Sequence, residues 1–321
     1  MANKITTIRI IFMGTSEFAN KILNSMIAAN LNIVAVFTKP DKKSGREHEI
    51  KKSGIKITAK ANNIPVFQPE KLDEESVAEI KNQKPDLIIV AAYGRIIPKD
   101  IIDIPRLKVI NVHPSLLPKF RGPSPIQNAI LNGETETGTT LMLINEGMDT
   151  GDILKQVKTE IGPNENGQML SDKLATLSAD LLLEALPLWV EGKIAPVKQM
   201  DSEATLCQLI EKNDGRIIWT DEAESIHNRF RALSLWPGIF TFWENEGAVK
   251  RMKLNKINFL KENLDKAKHH LGEVFQFEEK IGVQTTSGIV ILEEIQLEGK
   301  ENMKIADFIN GNRNFLGSIL K

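Results

Sequence analysis

From Ile8 to His113, short β-branched runs alternate with longer amphipathic segments, and this constrains the chain more than any other feature. The runs Ile8 to Met13, Ile33 to Thr38, Leu87 to Ala91 and Val109 to His113 read as strands. Between them, Glu17 to Ala29, Lys56 to Asn62 and Glu74 to Lys81 place apolar residues at helical spacing. Strands joined this way pair in parallel through right-handed crossovers, so the pattern predicts an α/β domain on a mostly parallel sheet. Ligands of such open sheets gather beyond the carboxyl ends of the strands.

Further along, Ser124 to Asn132 predicts a helix, Leu154 to Ile161 a strand, and Gln168 to Leu186 a long helix. A seam follows around Gly192 to Ala204. Beyond it the segments Arg216 to Trp219, Ile239 to Trp243, Arg251 to Leu260, Gly272 to Phe277, Ile281 to Thr285 and Gly288 to Glu293 are short and β-like, with Ile305 to Asn310 as a last helix. Many short strands at near-even spacing predict a small barrel. A chain of 321 residues is long for a single core. The expected fold is therefore a Rossmann-like, mostly parallel α/β domain over 1–190, a linker over 191–208 and an OB-like β-barrel over 209–321.

The chemistry gathers at Asn111-Val112-His113-Pro114-Ser115-Leu116-Leu117-Pro118. An apolar strand delivers an amide and an imidazole into a proline-bounded loop, and residues two apart share one face, so Asn111 and His113 point together. Downstream, Asn145-Glu146-Gly147-Met148-Asp149-Thr150-Gly151-Asp152 follows the strand-like run Thr139 to Ile144 and holds a carboxylate in a glycine-bracketed turn. Asp149 is taken as the functional acid and Asp152 as a turn former leading into the next strand. Amide donor, imidazole and carboxylate suit acyl transfer without a covalent enzyme intermediate.

Other chemistries fit less well. Gly14-Thr15-Ser16-Glu17-Phe18-Ala19 stands where a dinucleotide fingerprint would open, yet lacks its second and third glycines; a tight turn with Ser16 or Thr15 capping the helix is expected instead of NAD binding. Cys207 is the single cysteine and lies outside these motifs, so a reducing compartment fits and a thiol nucleophile does not. The five histidines and this cysteine offer no metal-ligand spacing. No apolar run approaches a membrane span and Met1 to Thr7 has no long apolar h-region, so a soluble cytoplasmic protein, expected as a monomer, is inferred. The net charge is −1, but Lys39 to Lys60 carries eight basic residues against three acidic ones. That island follows the second strand on the edge that holds Asn111 and His113, where it can meet a phosphate-rich partner. A non-enzymatic RNA-binding protein is the alternative these charges leave open, though it gives Asn111, His113 and Asp149 no reason to assemble.

Ile8-Arg9-Ile10-Ile11-Phe12-Met13-Gly14-Thr15, Val36-Phe37-Thr38-Lys39-Pro40-Asp41, Ala92-Tyr93-Gly94, Asn111 to Pro118, Phe120 to Gln127, Glu136 to Thr140 and Met148-Asp149-Thr150-Gly151-Asp152 together resemble the methionyl-tRNA formyltransferases, with a weaker match at Trp236-Pro237-Gly238. The resemblance covers nearly the whole chain. Its Asn-x-His and Asp-Thr-Gly-Asp elements are shared across the formyltetrahydrofolate enzymes, including those acting on glycinamide ribonucleotide, on sugars or on water. The basic insert and the second β-rich domain resemble the tRNA enzyme specifically. The resemblance implies 10-formyltetrahydrofolate as donor and initiator methionyl-tRNA as acceptor. It implies catalytic roles for Asn111, His113 and Asp149, and folate contacts from Ser115, Leu116, Leu117, Pro118, Ala92, Tyr93 and Gly94. Contacts to tRNA are expected from Arg46, Lys42, Lys43, Lys250 and Arg251. The chain departs from the family pattern at Glu47, where a basic residue or Gly is usual, and at Ile218 and Leu235, where Asp and Pro are common.

Overall fold

Ile10, Ile11, Phe12 and Met13 are all completely buried, because the strand they form lies inside a sheet rather than at its edge. In the computed structural model, which describes residues 5–44, 49–262 and 269–321, that strand is β1 (Ile10–Gly14). It is followed by α1 (Glu17–Ala28), β2 (Ile33–Phe37), β3 (Lys42–Ser44), β4 (Glu49–Lys51), α2 (Gly54–Ala61), β5 (Val66–Phe67), α3 (Glu74–Asn82), β6 (Leu87–Ala91), α4 (Lys99–Ile102), β7 (Val109–His113), α5 (Pro125–Leu131), β8 (Glu136–Leu143), β9 (Ile153–Glu160) and α6 (Gly167–Val190).

These elements build a seven-stranded sheet in the order β5-β2-β1-β6-β7-β8-β9. It is parallel from β5 to β7 and antiparallel from β7 to β9. Helix α1 shows how local sequence sets the elements. The Ser16 hydroxyl caps it by accepting from Ala19 N, Glu17 sits in the first turn, and Phe18, Ala19, Ile22, Leu23 and Met26 form its buried stripe. Ser53 and Asp73 cap α2 and α3 in the same way. One face of the sheet closes over Ile11, Met13, Phe37, Ile88, Val90, Tyr93 and Ile101.

The described residues divide into two compact units. The first runs to Pro125 and adds Glu136–Glu160 and Leu170–Gln208; the second takes Ile126–Thr135, Ile161–Met169 and Leu209–Lys321. Residues 191–208, expected as a linker, are thus counted with the first unit.

The second unit contains α7 (Ala223–Ala232), β10 (Ile239–Asn245), β11 (Ala248–Leu260), β12 (Val274–Phe277), β13 (Lys280–Gln284), β14 (Ile289–Leu297), β15 (Met303–Lys304) and α8 (Ile305–Gly311). Its strands form an antiparallel half-barrel sheet in the order β10-β11-β14-β13-β12, with β15 beside β14. Trp243 anchors this core edge-to-face against Phe308 and Phe315. Arg216 to Trp219, expected as a strand, makes only a bridge from Arg216 to Phe240 before the chain turns at Trp219 and Thr220. Helix α7 was not expected. Its buried stripe is Ala223, Ile226, His227, Arg231 and Ala232, and two of these read as polar in the sequence.

Close packing between β8 and β9 makes one residue a sharp test of the first unit. A Cβ added to Gly138 would lie 2.1 Å from Val157 O and 2.6 Å from Leu116 Cδ2. Gly138→Ala is expected to destabilise the protein by about 1–3 kcal/mol, read as a lower urea midpoint at unchanged slope.

Candidate active site

Strand β7 pairs in parallel with β6 and antiparallel with β8, placing Asn111 between Val90 and Met142 and His113 opposite Thr140. Asn111 and His113 therefore sit together at the carboxyl end of the strand while Val112 is buried on its other face. The imidazole is 4% exposed, and its Nε2 lies 2.9 Å from the Phe120 carbonyl. A carbonyl only accepts, so Nε2 carries a proton and Nδ1 is the nitrogen directed elsewhere. Phe120 reaches this position with φ +60°, in the left-handed region that costs a residue with a Cβ about 1–3 kcal/mol. The ring is therefore oriented by a backbone carbonyl.

Asp149 also has a left-handed backbone, φ +53°, in the turn between β8 and β9. Its Oδ2 accepts from Gly122 N at 2.9 Å and its Oδ1 from Asn111 Nδ2 at 3.3 Å, while Oδ2 stands 3.7 Å from His113 Nδ1. Gly122 donates from φ +119°, and a Cβ there would fall 2.4 Å from Cys207 O, so the close approach requires glycine. The amide and imidazole of β7 thus converge with the carboxylate of the turn between β8 and β9.

The loop after His113 is held from below. Thr140 Oγ1 donates to Ser115 O at 2.7 Å and accepts from Leu117 N at 3.1 Å; Gln156 Nε2 donates to Leu117 O and to Thr140 Oγ1, both at 2.8 Å. Ser115 is fully buried and its hydroxyl donates to Lys119 O at 2.7 Å. Leu117 is buried, whereas Leu116 and Pro118 are partly exposed. In the second segment expected to hold folate, Ala92 and Gly94 are exposed with positive φ, but the Tyr93 ring is 1% exposed within the core and Thr15 Oγ1 donates to its carbonyl at 3.3 Å. The side chains of Ser115 and Tyr93 are thus both buried. Burial also raises the Tyr93 phenol above its ordinary range.

Phe120, Gly122 and Thr140 lie in stretches that carry the family resemblance, but neither they nor Gln156 received a role from the sequence. A backbone carbonyl and two supporting side chains leave no type-specific signal, and the glycine required at 122 shows its reason only once Cys207 O is placed against it. Cys207 is buried, its thiol pushed up by burial and by the nearby Asp149 charge. Among the described residues, no group of three or more His, Cys, Asp and Glu side chains is arranged to hold a metal, and no helix is long and apolar enough to cross a membrane.

Of the residues expected to meet tRNA, Arg46 lies outside the described residues. Lys42 and Lys43 belong to β3, which pairs with β4. The near end of this segment is fixed by Asp41, which pairs with Lys56 and accepts from Gln68 Nε2 at 3.0 Å. In the second unit, Lys250 is exposed on β11 and the Arg251 guanidinium lies over the Phe240 ring at 3.6 Å.

Residues 8–186 match the formyl transferase family, and residues 209–313 match the formyl transferase C-terminal domain. The methionyl-tRNA formyltransferase of Clostridium novyi (strain NT) is 40% identical over 98% of this chain and 100% of its own. That of Caldicellulosiruptor saccharolyticus is 42% identical over 97% of this chain and 99% of its own. Among solved structures, the N-formyltransferase of Helicobacter canadensis, in complex with folinic acid and dTDP-3-aminofucose, superposes with a TM-score of 0.65 at 21% identity, covering 89% of this chain and 99% of that one. HypX from Aquifex aeolicus in complex with tetrahydrofolic acid gives 0.59 at 20% identity, covering 94% and 46%. At these identities the two structures establish the fold alone.

Asp41 supplies a pH test of the root of the basic segment. Hydrogen bonds from Lys56, then from Gln68, hold its carboxyl below the ordinary value. Its contribution to stability is complete above the unfolded-chain pKa of about 3.9 and is lost as pH falls through the lower folded value. Asp41→Asn is expected to narrow the gap between urea midpoints measured at neutral pH and in acid.

Proposed function

This chain belongs to the methionyl-tRNA formyltransferase family, and on that premise we propose that it transfers the formyl group of 10-formyltetrahydrofolate to the free α-amine of methionyl initiator tRNA. The observation that carries the reading is the Asp149 carboxylate, held by Gly122 N and Asn111 Nδ2 and standing 3.7 Å from His113 Nδ1.

An α-amine has an ordinary pKa of about 7.7–8.0, so a useful fraction of it, about a tenth to a sixth, is already neutral near pH 7. Its nitrogen attacks the formyl carbon, and a carbon–nitrogen bond forms as the carbonyl electrons move onto oxygen. The Asn111 carboxamide carries two N–H groups; one is committed to Asp149 and the other is available to the oxyanion. With His113 Nε2 committed to Phe120, Nδ1 is the ring nitrogen that serves the reacting centre, donating to the oxyanion when protonated beside the Asp149 charge. Asp149, directly or through water, takes the proton the amine releases. Collapse of the tetrahedral species breaks the bond to the folate nitrogen, which leaves with a proton from His113 or water. The products are formylmethionyl-tRNA, for translation initiation, and tetrahydrofolate.

The folate is assigned to Ser115, Leu116, Leu117 and Pro118, pinned by Thr140 and Gln156, and to the backbone of Ala92, Tyr93 and Gly94. Contacts to the tRNA backbone are assigned to Arg46, Lys42, Lys43, Lys250 and Arg251, so that the first unit performs the chemistry and the second assists tRNA binding. A monomer accords with a site drawn from one chain, and a cytoplasmic location with a charged tRNA as substrate. No step calls for a metal.

Purified protein offered formyltetrahydrofolate with methionyl initiator tRNA, glycinamide ribonucleotide, a nucleotide amino sugar or water alone is expected to form formylmethionyl-tRNA fastest; preferential formylation of another acceptor contradicts the assignment. Loss of one oxyanion donor typically costs about 2.7–4 kcal/mol of barrier, or about 10²–10³ in rate. Asn111→Ala and His113→Ala should each lower kcat by that order while changing folate affinity by no more than about threefold, as measured by steady-state kinetics and equilibrium titration.

A further inference from the structure

Gln199 follows α6 and lies outside every catalytic assignment above, yet its side chain is fully engaged around Asp149. Its Nε2 donates to Asp149 O at 2.8 Å and to Gly151 O at 2.7 Å, while Oε1 accepts from Arg121 Nε at 2.9 Å. Arg121 is 6% exposed, and its Nη2 continues to Asp201 Oδ1 at 2.9 Å. The following residues are stitched to the same loop: Phe120 N donates to Thr205 Oγ1 at 2.8 Å, Arg121 N to Thr205 O at 2.9 Å, and Cys207 N to Arg121 O at 2.8 Å.

Both parts joined by Gln199 carry site geometry. One is the turn that presents the Asp149 carboxylate from φ +53°. The other is the 120–122 loop, whose Phe120 carbonyl orients His113 and whose Gly122 N–H holds Asp149. A carboxamide has two N–H groups and one acceptor oxygen, and this one spends all of them on the two segments, with no donor left for a ligand. Releasing it removes the clamp on the backbone of the turn and leaves the Gly122 N–H to hold the Asp149 carboxylate, without removing any group that meets substrate.

We propose that Gln199 is a positioning residue for formyl transfer, setting the separation of the Asp149 carboxylate from the His113 ring by clamping the 149–151 turn to Arg121. This rests on the formyl-transfer reading.

Two variants of similar length test it. Gln199→Met removes all three hydrogen bonds; Gln199→Glu keeps an acceptor for Arg121 and turns oxygen toward two carbonyls. Each is expected to lower kcat by about 10- to 100-fold, the scale of a small misplacement of reacting groups, with both KM values changed less than about twofold. Amide exchange at Gly122 should accelerate by about tenfold while exchange along β7 stays as in wild type. On an Asp149→Asn background, Gln199→Met should cost little more, because residues acting through one group are not additive. Wild-type kcat with unchanged Gly122 exchange overturns the proposal. So does a loss that adds fully to that of Asp149→Asn, and so does failure of both variants to fold, since each assigns Gln199 to general stability. If wild type itself forms no formylmethionyl-tRNA, the functional reading falls instead, and Gly122 exchange still reports whether Gln199 clamps the turn.

Discussion

A carboxylate drawn part-way out of water has to be met by donors, and Asp149, with a side chain 17% exposed, is met by a backbone N–H and a side-chain amide. Most of the site's unusual geometry serves that encounter. Gly122 must come close enough to donate, which brings its backbone against Cys207 O and excludes any Cβ. Phe120, two residues earlier, takes a left-handed conformation that directs its carbonyl at His113. Asp149 takes one as well. Each such conformation costs about 1–3 kcal/mol, and strain of this kind persists where surrounding bonds over-determine it. Here those bonds come from Thr205, Gln199 and Asn111.

The sheet explains why this happens at β7. That strand is the last of the parallel run and the first to pair antiparallel, so its carboxyl end is flanked by the end of β6 on one side and by β8 running back on the other. Thr140 is brought opposite His113, where one hydroxyl both donates to Ser115 O and accepts from Leu117 N. The turn from β8 to β9 returns the chain beside the same end with Asp149. A rigid platform therefore carries the amide, the imidazole and the floor of the loop, and the carboxylate arrives on a turn that needs separate bracing.

Much of this is legible from sequence for identifiable reasons. The parallel strands are near-continuous apolar runs and the caps Ser16, Ser53 and Asp73 are local signals, so the first-unit elements fall close to where the pattern puts them. Asn111 and His113 share a face by strand geometry, and Asp149 sits in a glycine-bracketed turn. Helix α7 was missed because His227 and Arg231 are buried on it: Arg231 Nη1 donates to Glu165 O at 2.8 Å and His227 packs on Phe259. Burial beside Arg231 lowers the His227 pKa. Arg216 to Trp219 looks β-like from composition, but only its first residue finds a bridging partner. Phe120 acts through a backbone carbonyl that any residue type carries, and the need for glycine at 122 emerges only once Cys207 O is packed against it. Gln199 was invisible because it lies 50 residues beyond the aspartate it braces.

The central claim is that the charge of Asp149, held where it is, drives the amine's attack. Its most direct measurement is the single-turnover rate of formyl transfer by Asp149→Asn at saturating formyltetrahydrofolate and methionyl-tRNA, which removes the charge and keeps the shape. The account predicts a fall of about a hundredfold or more, the usual contribution of a positioned base, with both substrates still bound. A variant that transfers the formyl group at the wild-type rate would contradict it.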